Sequence, residues 1–166
     1  MFATVAVTIL SASCLRVVDV AQPLEVSAVS TFEVALQVRA DTPARAPAPV
    51  FGVLAISLPD GAVVKEGNFH GAAKGKLRRL DEVGAALPDE RPGYGWTLFR
   101  TRDEYEPSAL TGGVFEVKLK IKTDNAPGDY RFAYAAAAVP VARGGGPDLS
   151  RLEWSEATLA RWITVK

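Results

Sequence analysis

The sequence predicts an all-β protein, built as a two-sheet antiparallel sandwich of about eight strands. Apolar and polar residues alternate along several segments, which is the pattern of strands with one buried and one solvated face. Turn-forming residues separate these segments, with 14 Gly and 11 Pro among 166 residues. No segment carries an apolar stripe at helical spacing over three turns. Short strands and many turns together are typical of a sandwich.

Three segments give the clearest strand patterns. Residues 31–39 and 114–122 each place an apolar side chain at every second position. Residues 50–58 are more continuously apolar, which is typical of a strand in the middle of a covered sheet. This strand ends at a predicted tight turn over residues 59–61, Pro-Asp-Gly.

Residues 114–137 are predicted as a β-hairpin, with a loop near 123–129 that is dense in Asp, Asn, Pro and Gly. Short helical turns are expected within 148–153 and 155–159. We expect residues 1–166 to form one domain, because neither a repeat nor a linker interrupts the pattern. Weaker patterns predict further strands at 15–20, 76–80, 95–100 and 159–165.

Composition excludes several classes of function. Lys and Arg number 19 and Asp and Glu number 19, so the formal charge is zero. A neutral chain lacks the basic footprint of a nucleic-acid-binding protein, and the basic run at 74–79 is followed at once by acidic residues. With 48% hydrophobic and 23% charged residues the composition is globular. One Cys and one His exclude disulfides within the chain and His-rich metal sites.

The N-terminal segment is apolar, and residues 10–14 are similar to a lipoprotein cleavage box. A secretory signal also needs a positive start, but Arg16 is the first basic residue. We therefore expect a strand over residues 4–12, and whether Met1 is the native start is left open. Membrane insertion is not expected, because the longest weakly polar run, 133–142, is too short for a bilayer and contains Pro140.

Two stretches carry a resemblance. Residues 51–64 include a strand followed by Leu-Pro-Asp-Gly, and residues 92–100 begin Pro-Gly-Tyr before a strand; a strand at 115–122, Pro-Gly-Asp-Tyr at 127–130 and Trp154 follow. Together they resemble immunoglobulin-like and cohesin-like β-sandwich modules of secreted and cell-surface bacterial proteins. The resemblance spans residues 31–165 and implies an immunoglobulin-like sandwich located outside the cell or at its surface. It assigns no site residues.

Catalytic constellations are not evident. A nucleophile normally needs a neighbouring base, and nothing brings Cys14 and His70 together; His70 lies in a loop-like context. We expect a protein that is not an enzyme and needs no cofactor. Acidic residues that could form the carboxylate pair of a glycosidase lie in charge-mixed segments: Asp89, Glu90, Asp103, Glu104 and Glu106.

The predicted loop at 123–129 contains candidate calcium ligands. Asp124 and Asp129 supply carboxylates and Asn125 an amide oxygen. Ca²⁺ takes six to eight oxygen ligands, so these residues alone would leave the site incomplete. An Asx-type turn is the favoured interpretation.

Aromatic side chains carry the main functional hint. Tyr94, Tyr105 and Trp154 are flanked by Gly, Glu and Arg, and exposed rings of this kind could stack on sugars. Trp96 and Trp162 are instead expected in the core, as the largest side chains of the sandwich.

We expect a non-catalytic extracellular module for cell-surface adhesion or assembly, with other surface or secreted proteins as partners. A carbohydrate-binding module for polysaccharide is one alternative. Another is a structural subunit of a filament or surface layer, in which residues 4–10 pair with a neighbouring molecule's sheet edge. Lys118, Lys120 and Lys122 line one strand face and are interpreted as protection of a sheet edge.

Overall fold

The computed structural model describes residues 15–40, 49–71, 74–81, 91–106, 113–154 and 158–166. They form eleven strands and one short 3-10 helix, Leu149–Arg151. Eight strands have seven residues or more: β1 (Leu15–Ala21), β3 (Val29–Ala40), β4 (Val50–Pro59), β5 (Ala62–His70), β8 (Tyr94–Arg100), β9 (Val114–Asp124), β10 (Gly128–Pro140) and β11 (Leu159–Val165). Three are shorter: β2 (Glu25–Val26), β6 (Gly75–Lys76) and β7 (Arg78–Leu80).

Two sheets make up the sandwich. The five-stranded sheet has the order β1-β3-β9-β5-β6, and the six-stranded sheet has the order β2-β11-β10-β4-β8-β7. Neighbouring strands are antiparallel except β2 and β11, which are parallel. The predicted all-β, two-sheet antiparallel sandwich is confirmed, and the predicted count of about eight matches the eight long strands.

The pattern of each strand decides which sheet it joins. β3 and β9 alternate between buried and solvated residues, and they pair with each other over eleven positions. β4 is buried at all ten positions, and β10 is buried from Phe132 to Val139. These two strands pair at the centre of the six-stranded sheet, which is therefore covered on both faces.

The main core lies between the sheets, where the inner faces of all the long strands meet. Phe32 on β3 and Phe132 on β10 cross from one sheet to the other, with ring centroids 5.9 Å apart in an edge-to-face arrangement. Near the opposite end of the sandwich, Phe69 stacks on Phe115 at 5.4 Å. Leu36, Ile56 and Ile121 have no exposed surface at all.

The predicted hairpin at 114–137 is wrong. β9 and β10 are consecutive in sequence, but β9 pairs with β3 and β5, whereas β10 pairs with β4 and β11. The turn between them carries the chain from one sheet to the other. The physical reason is that β9 has one solvated face, whereas β10 is buried on both faces from Phe132 to Val139. β10 therefore belongs in the sheet that is covered on both faces, and β9 in the sheet with a solvated outer face.

The interpretation of the lysine ladder as edge protection is also wrong. Lys118, Lys120 and Lys122 lie on β9, which is a central strand between β3 and β5. Their side chains point to the outer, solvated face of the five-stranded sheet.

The strand predicted at 4–12 lies outside the described residues. Within the described part of the chain, none of the secondary structure is a helix of sufficient length and apolarity to cross a membrane.

Candidate binding surface

The two outer faces of the sandwich differ in chemistry. The outer face of the five-stranded sheet carries charged rows in which Lys120 lies 3.7 Å from Glu66 and Lys118 lies 3.3 Å from Glu116. A hydrogen bond from Asn68, and then the charge of Lys120, lower the pKa of the exposed Glu66 carboxyl. This face is a solvated surface with both signs of charge.

The outer face of the six-stranded sheet is apolar. A second cluster of buried side chains lies on it, separate from the main core: Phe51, Val53, Ala55, Leu98, Ala135 and Val139. Half-buried side chains pack against this cluster from above: Leu80, Trp96, Val141, Leu152 and Trp154. Arg100 places its guanidinium 4.8 Å from the Phe51 ring centroid, at the border of the cluster.

Part of this cover comes from the connection between β10 and β11. The chain folds back after β10, where Asp148 donates its N–H to the Pro140 carbonyl at 2.8 Å. The Ala142 N–H donates to the Gly146 carbonyl at 2.7 Å and closes a tight turn. Leu152 and Trp154 then lie against the second cluster. This end of the outer face is therefore closed by the chain itself.

The other end of the same face is open and holds an exposed tryptophan. Trp162 is 58% exposed and lies opposite Arg131 in the β10–β11 ladder. The hydroxyl of Tyr94 accepts a hydrogen bond from the backbone N–H of Arg131 at 3.2 Å. Tyr94, Arg131 and Trp162 thus form one row across the sheet, which we call the Trp162 surface. Its ends lie about 14 Å apart, since β8 and β11 are three strand spacings from each other.

Polar groups surround this row. Thr164 donates a hydrogen bond from its hydroxyl to the Asp129 carboxylate at 2.7 Å. These two residues form the next outward-facing pair of the β10–β11 ladder. Lys166 pairs with Glu25 on the edge strand β2. An aromatic ring, a guanidinium and hydroxyl groups on one face of a sheet are suited to binding another molecule through stacking, apolar contact and hydrogen bonds.

The three aromatic residues predicted to stack on sugars do not form one platform. Tyr94 lies beside Pro59 and Tyr105 beside Val50, at opposite ends of the ten-residue β4, about 30 Å apart. Tyr105 stacks on Phe69 at 6.4 Å, and burial raises the pKa of its hydroxyl. Trp154 packs on the second apolar cluster. Tyr94 alone belongs to the open surface.

The expectation for the two core tryptophans needs correction. Trp162 is exposed rather than buried. Trp96 is half-buried and packs on the outer cluster rather than between the sheets, and its buried indole Nε1 has no hydrogen-bond partner among the described residues. The signal for Trp162 was present in the sequence: Ile163 and Val165 have the opposite strand parity and are buried, so Trp162 must face outward.

Two of the three candidate calcium ligands near the turn between β9 and β10, Asn125 and Asp129, use a side-chain oxygen in hydrogen bonds within the chain. Thr123 donates its hydroxyl to the Asn125 side-chain oxygen at 2.6 Å, and Asn125 is buried. Asp129 accepts from Thr164, and the Asp124 N–H donates to the Gly61 carbonyl at 2.9 Å. Over the described ranges, Asp124 and Asp129 join no group of three residues able to hold a metal ion.

The catalytic candidates are scattered. His70 is not in a loop but is the last residue of β5, opposite Glu116 on β9. Asp103 lies 3.8 Å from Arg102 in an exposed ion pair. Cys14, Asp89 and Glu90 lie outside the described residues. The Cys14 and His70 pair is therefore not tested by the described part of the chain.

Comparison with known proteins gives a likeness in fold. No protein-family model matches the chain, and no curated protein matches it. The solved structure of AvmM, which catalyses macrocyclization in alchivemycin A biosynthesis, is similar in fold to this chain. The TM-score is 0.50 and the identity is 8%, over 90% of this chain and 88% of that chain.

Two cohesin modules are also similar. One, from a family 33 glycoside hydrolase of Clostridium perfringens, has a TM-score of 0.46 and 14% identity over 92% of this chain and 98% of that chain. The other, a non-cellulosomal cohesin from the archaeon Archaeoglobus fulgidus, has a TM-score of 0.46 and 10% identity over 89% and 91%. Both likenesses are in the fold alone.

Proposed function

We propose that the chain is a non-catalytic recognition module of a secreted or cell-surface protein, which binds other proteins in adhesion or assembly. The observation that carries the proposal is the exposed Trp162 beside Arg131 and Tyr94. Trp, Tyr and Arg are the side chains that contribute most often to binding energy at protein interfaces. The placement outside the cell rests on the resemblance of the turn motifs at 51–64 and 92–100.

The contrast between exposed and covered apolar groups supports this site. The chain covers the second apolar cluster with its own side chains, including Trp96 and Trp154. Trp162 lies on the same face of the sheet but stays 58% exposed. A large aromatic ring left in water costs solvation free energy, which a partner that covers it would recover.

The test compares purified full-length variants in binding to extracellular and surface proteins of the source organism. We expect a partner that can be identified, purified and shown to bind the wild type with saturation, and to bind Trp162→Ala at least about tenfold more weakly. Val114→Ala is the matched control, because Val114 is 56% exposed on the other sheet. Partners that bind both variants equally would contradict the site, and turnover of a substrate that depends on a residue of this chain would contradict the function.

A carbohydrate-binding module is the second candidate. The observation that favours it is the row of Tyr94, Arg131 and Trp162, in which an exposed indole could stack on a sugar ring and a guanidinium could bind its hydroxyls. A polysaccharide array with the same variants separates the candidates. Sugar binding that is lost in Trp162→Ala would favour the carbohydrate function and overturn the protein-binding one.

A further inference from the structure

The outward edge of β11 carries backbone groups that no described strand pairs. Thr164 donates its N–H to the Leu24 carbonyl at 2.9 Å, so the even-numbered residues of β11 direct their backbone groups away from β10. The same alternation directs the N–H groups of Ala160 and Trp162 to this edge. Among the described residues, β2 pairs only with Thr164 and Val165 of β11. The N–H groups of Ala160 and Trp162 therefore have no described partner strand.

The strands at the other described sheet ends are irregular or short. β1 has an irregular register between Val17 and Asp19, of the kind that discourages a further strand. β6 and β7 are two and three residues long. In contrast, β11 is regular from Leu159 to Val165 and contains neither Pro nor Lys. It is therefore a described edge suited to accept another strand, provided that the guanidinium of Arg161, which donates to the Ala160 carbonyl at 3.1 Å, moves aside.

Exposed apolar side chains flank this edge. Trp162 is 58% exposed in the middle of β11, and Leu24, beside β2, is 79% exposed. The Trp162 carbonyl accepts a long hydrogen bond of 3.5 Å from the side-chain amide of Gln22. An incoming backbone N–H could replace this weak bond. Trp162 and Leu24 stay exposed in the single chain, so both are accessible to a strand from another molecule.

The chain itself contains a segment with the chemistry that this edge requires. Residues 4–10 lie outside the described residues, and in their sequence Val5, Val7 and Ile9 alternate with Thr4, Ala6 and Thr8. The segment carries no charge. Extended, its seven residues would span about 23 Å, enough to cover the open part of β11, which spans about 17 Å.

We propose that β11 accepts residues 4–10 of a second copy of the chain as an added strand. The added strand pairs with the N–H groups of Ala160 and Trp162 and covers the Trp162 ring. This inference rests on the proposed function, an assembly module, and names the partner as the chain itself. A chain that both offers and accepts a strand forms dimers or longer assemblies.

The proposal is tested with two variants of the chain, each alone and mixed with the other. Analytical ultracentrifugation measures whether each sample is monomeric or associated. Ala160→Pro removes the outward N–H of β11 and leaves the bonds to β10 intact, whereas Val7→Pro prevents residues 4–10 from pairing. We expect the wild type to self-associate and each variant alone to be monomeric. A one-to-one mixture is expected to form dimers, because one variant keeps the strand and the other keeps the edge.

Ala160→Val is the matched control, because it changes the same side chain and keeps the N–H; it should self-associate like the wild type. Circular dichroism and thermal unfolding check that each variant folds. If Ala160→Pro does not fold, Trp162→Lys replaces it, because an exposed Lys discourages strand addition, and about tenfold weaker association is expected.

A wild type that is monomeric at every concentration, or a mixture that stays monomeric, would overturn the strand addition. The proposed function would then still be tested separately, by Trp162-dependent binding of a different protein. Dimers that persist in both single variants would also overturn the inference, because another surface would form them.

Discussion

Asn125 ties together two of the turns at which the chain changes sheets. Its side-chain amide donates a hydrogen bond to the carbonyl of Asp60, which lies in the turn between β4 and β5. Asn125 itself lies in the turn between β9 and β10, and Thr123 fixes its orientation by donating to the amide oxygen at 2.6 Å. One buried side chain thus holds two crossings between the sheets side by side, far apart in sequence.

Replacement of Asn125 by Ala is expected to lower the free energy of unfolding by about 2–4 kcal/mol. The change removes the donor to Asp60 and leaves the buried Thr123 hydroxyl without its acceptor. Urea unfolding of both proteins measures the difference. Asn68→Ala is the control, because Asn68 makes one long bond of 3.4 Å to Glu66, and it should cost at most about 0.5 kcal/mol. Equal costs for the two variants would show that the Asn125 link contributes no special stability.

Gly61 is required by the geometry of the same pair of turns. Its φ is +91°, a region that disfavours residues with a Cβ, and an added Cβ would lie 3.2 Å from the Asn125 side-chain nitrogen. Gly61→Ala should therefore destabilise the fold by about 1–3 kcal/mol. Gly95→Ala, on β8 with open space around it, should leave the thermal midpoint nearly unchanged. A lower midpoint for Gly95→Ala than for Gly61→Ala would be incompatible with this turn geometry.

Tyr134 predicts how stability changes at alkaline pH. Burial raises the pKa of its hydroxyl, which donates to the Gln22 side-chain oxygen at 2.8 Å. Above pH about 10 the unfolded chain releases this proton and the folded chain keeps it. The free energy of unfolding should therefore be unaffected by this group below that pH and fall by about 1.4 kcal/mol per pH unit above it.

Tyr134→Phe should remove that part of the alkaline loss, at a cost of about 1 kcal/mol at neutral pH for the lost hydrogen bond. Denaturant unfolding across the alkaline range measures the slope in both proteins. Tyr130→Phe, in which Tyr134 remains, should keep the slope. The same slope in Tyr134→Phe and the wild type would contradict the assignment.

Tryptophan fluorescence should separate the three indoles by their exposure. Trp162 is 58% exposed, whereas Trp96 and Trp154 are half-buried against the second apolar cluster. In the monomeric chain, Trp162→Phe should remove the fraction of emission that acrylamide quenches most efficiently. Trp96→Phe should leave that fraction in place. If Trp162→Phe left the quenching unchanged, the outward orientation of Trp162 would be wrong.

The class of fold could be predicted because single strands carry it. Phe115, Val117, Leu119 and Ile121 alternate with charged residues, and the structure buries all four in β9. The turn at 59–61 was also predictable, because Pro, Asp and Gly favour turns for local reasons. Local chemistry fixes such features whatever the rest of the chain does.

Strand pairing could not be predicted in the same way, because it depends on contacts between distant segments. The turn after β9 contains the residues of a hairpin loop, yet the chain changes sheets there. The uninterrupted apolar run at 132–139 was the available signal in the sequence, since a strand that is apolar on both faces needs a covered sheet.

The candidate surface was predicted only in part. Tyr94 was identified, but Trp162 and Arg131 were not, because large aromatic residues are usually assigned to the core. Strand parity with Ile163 would have placed Trp162 outside. Its pairing with Arg131 depends on the register of β10 and β11, which turn chemistry near Asp129 does not determine.

Amide hydrogen exchange measured by NMR tests the open edge of β11 most directly. In the monomeric Val7→Pro variant, the amides of Ala160 and Trp162 should exchange rapidly, while those of Arg161 and Ile163, directed to β10, should exchange slowly. In the self-associated wild type all four should exchange slowly. Slow exchange at Ala160 and Trp162 in the monomer, or rapid exchange at these two residues in the assembly, would contradict the account.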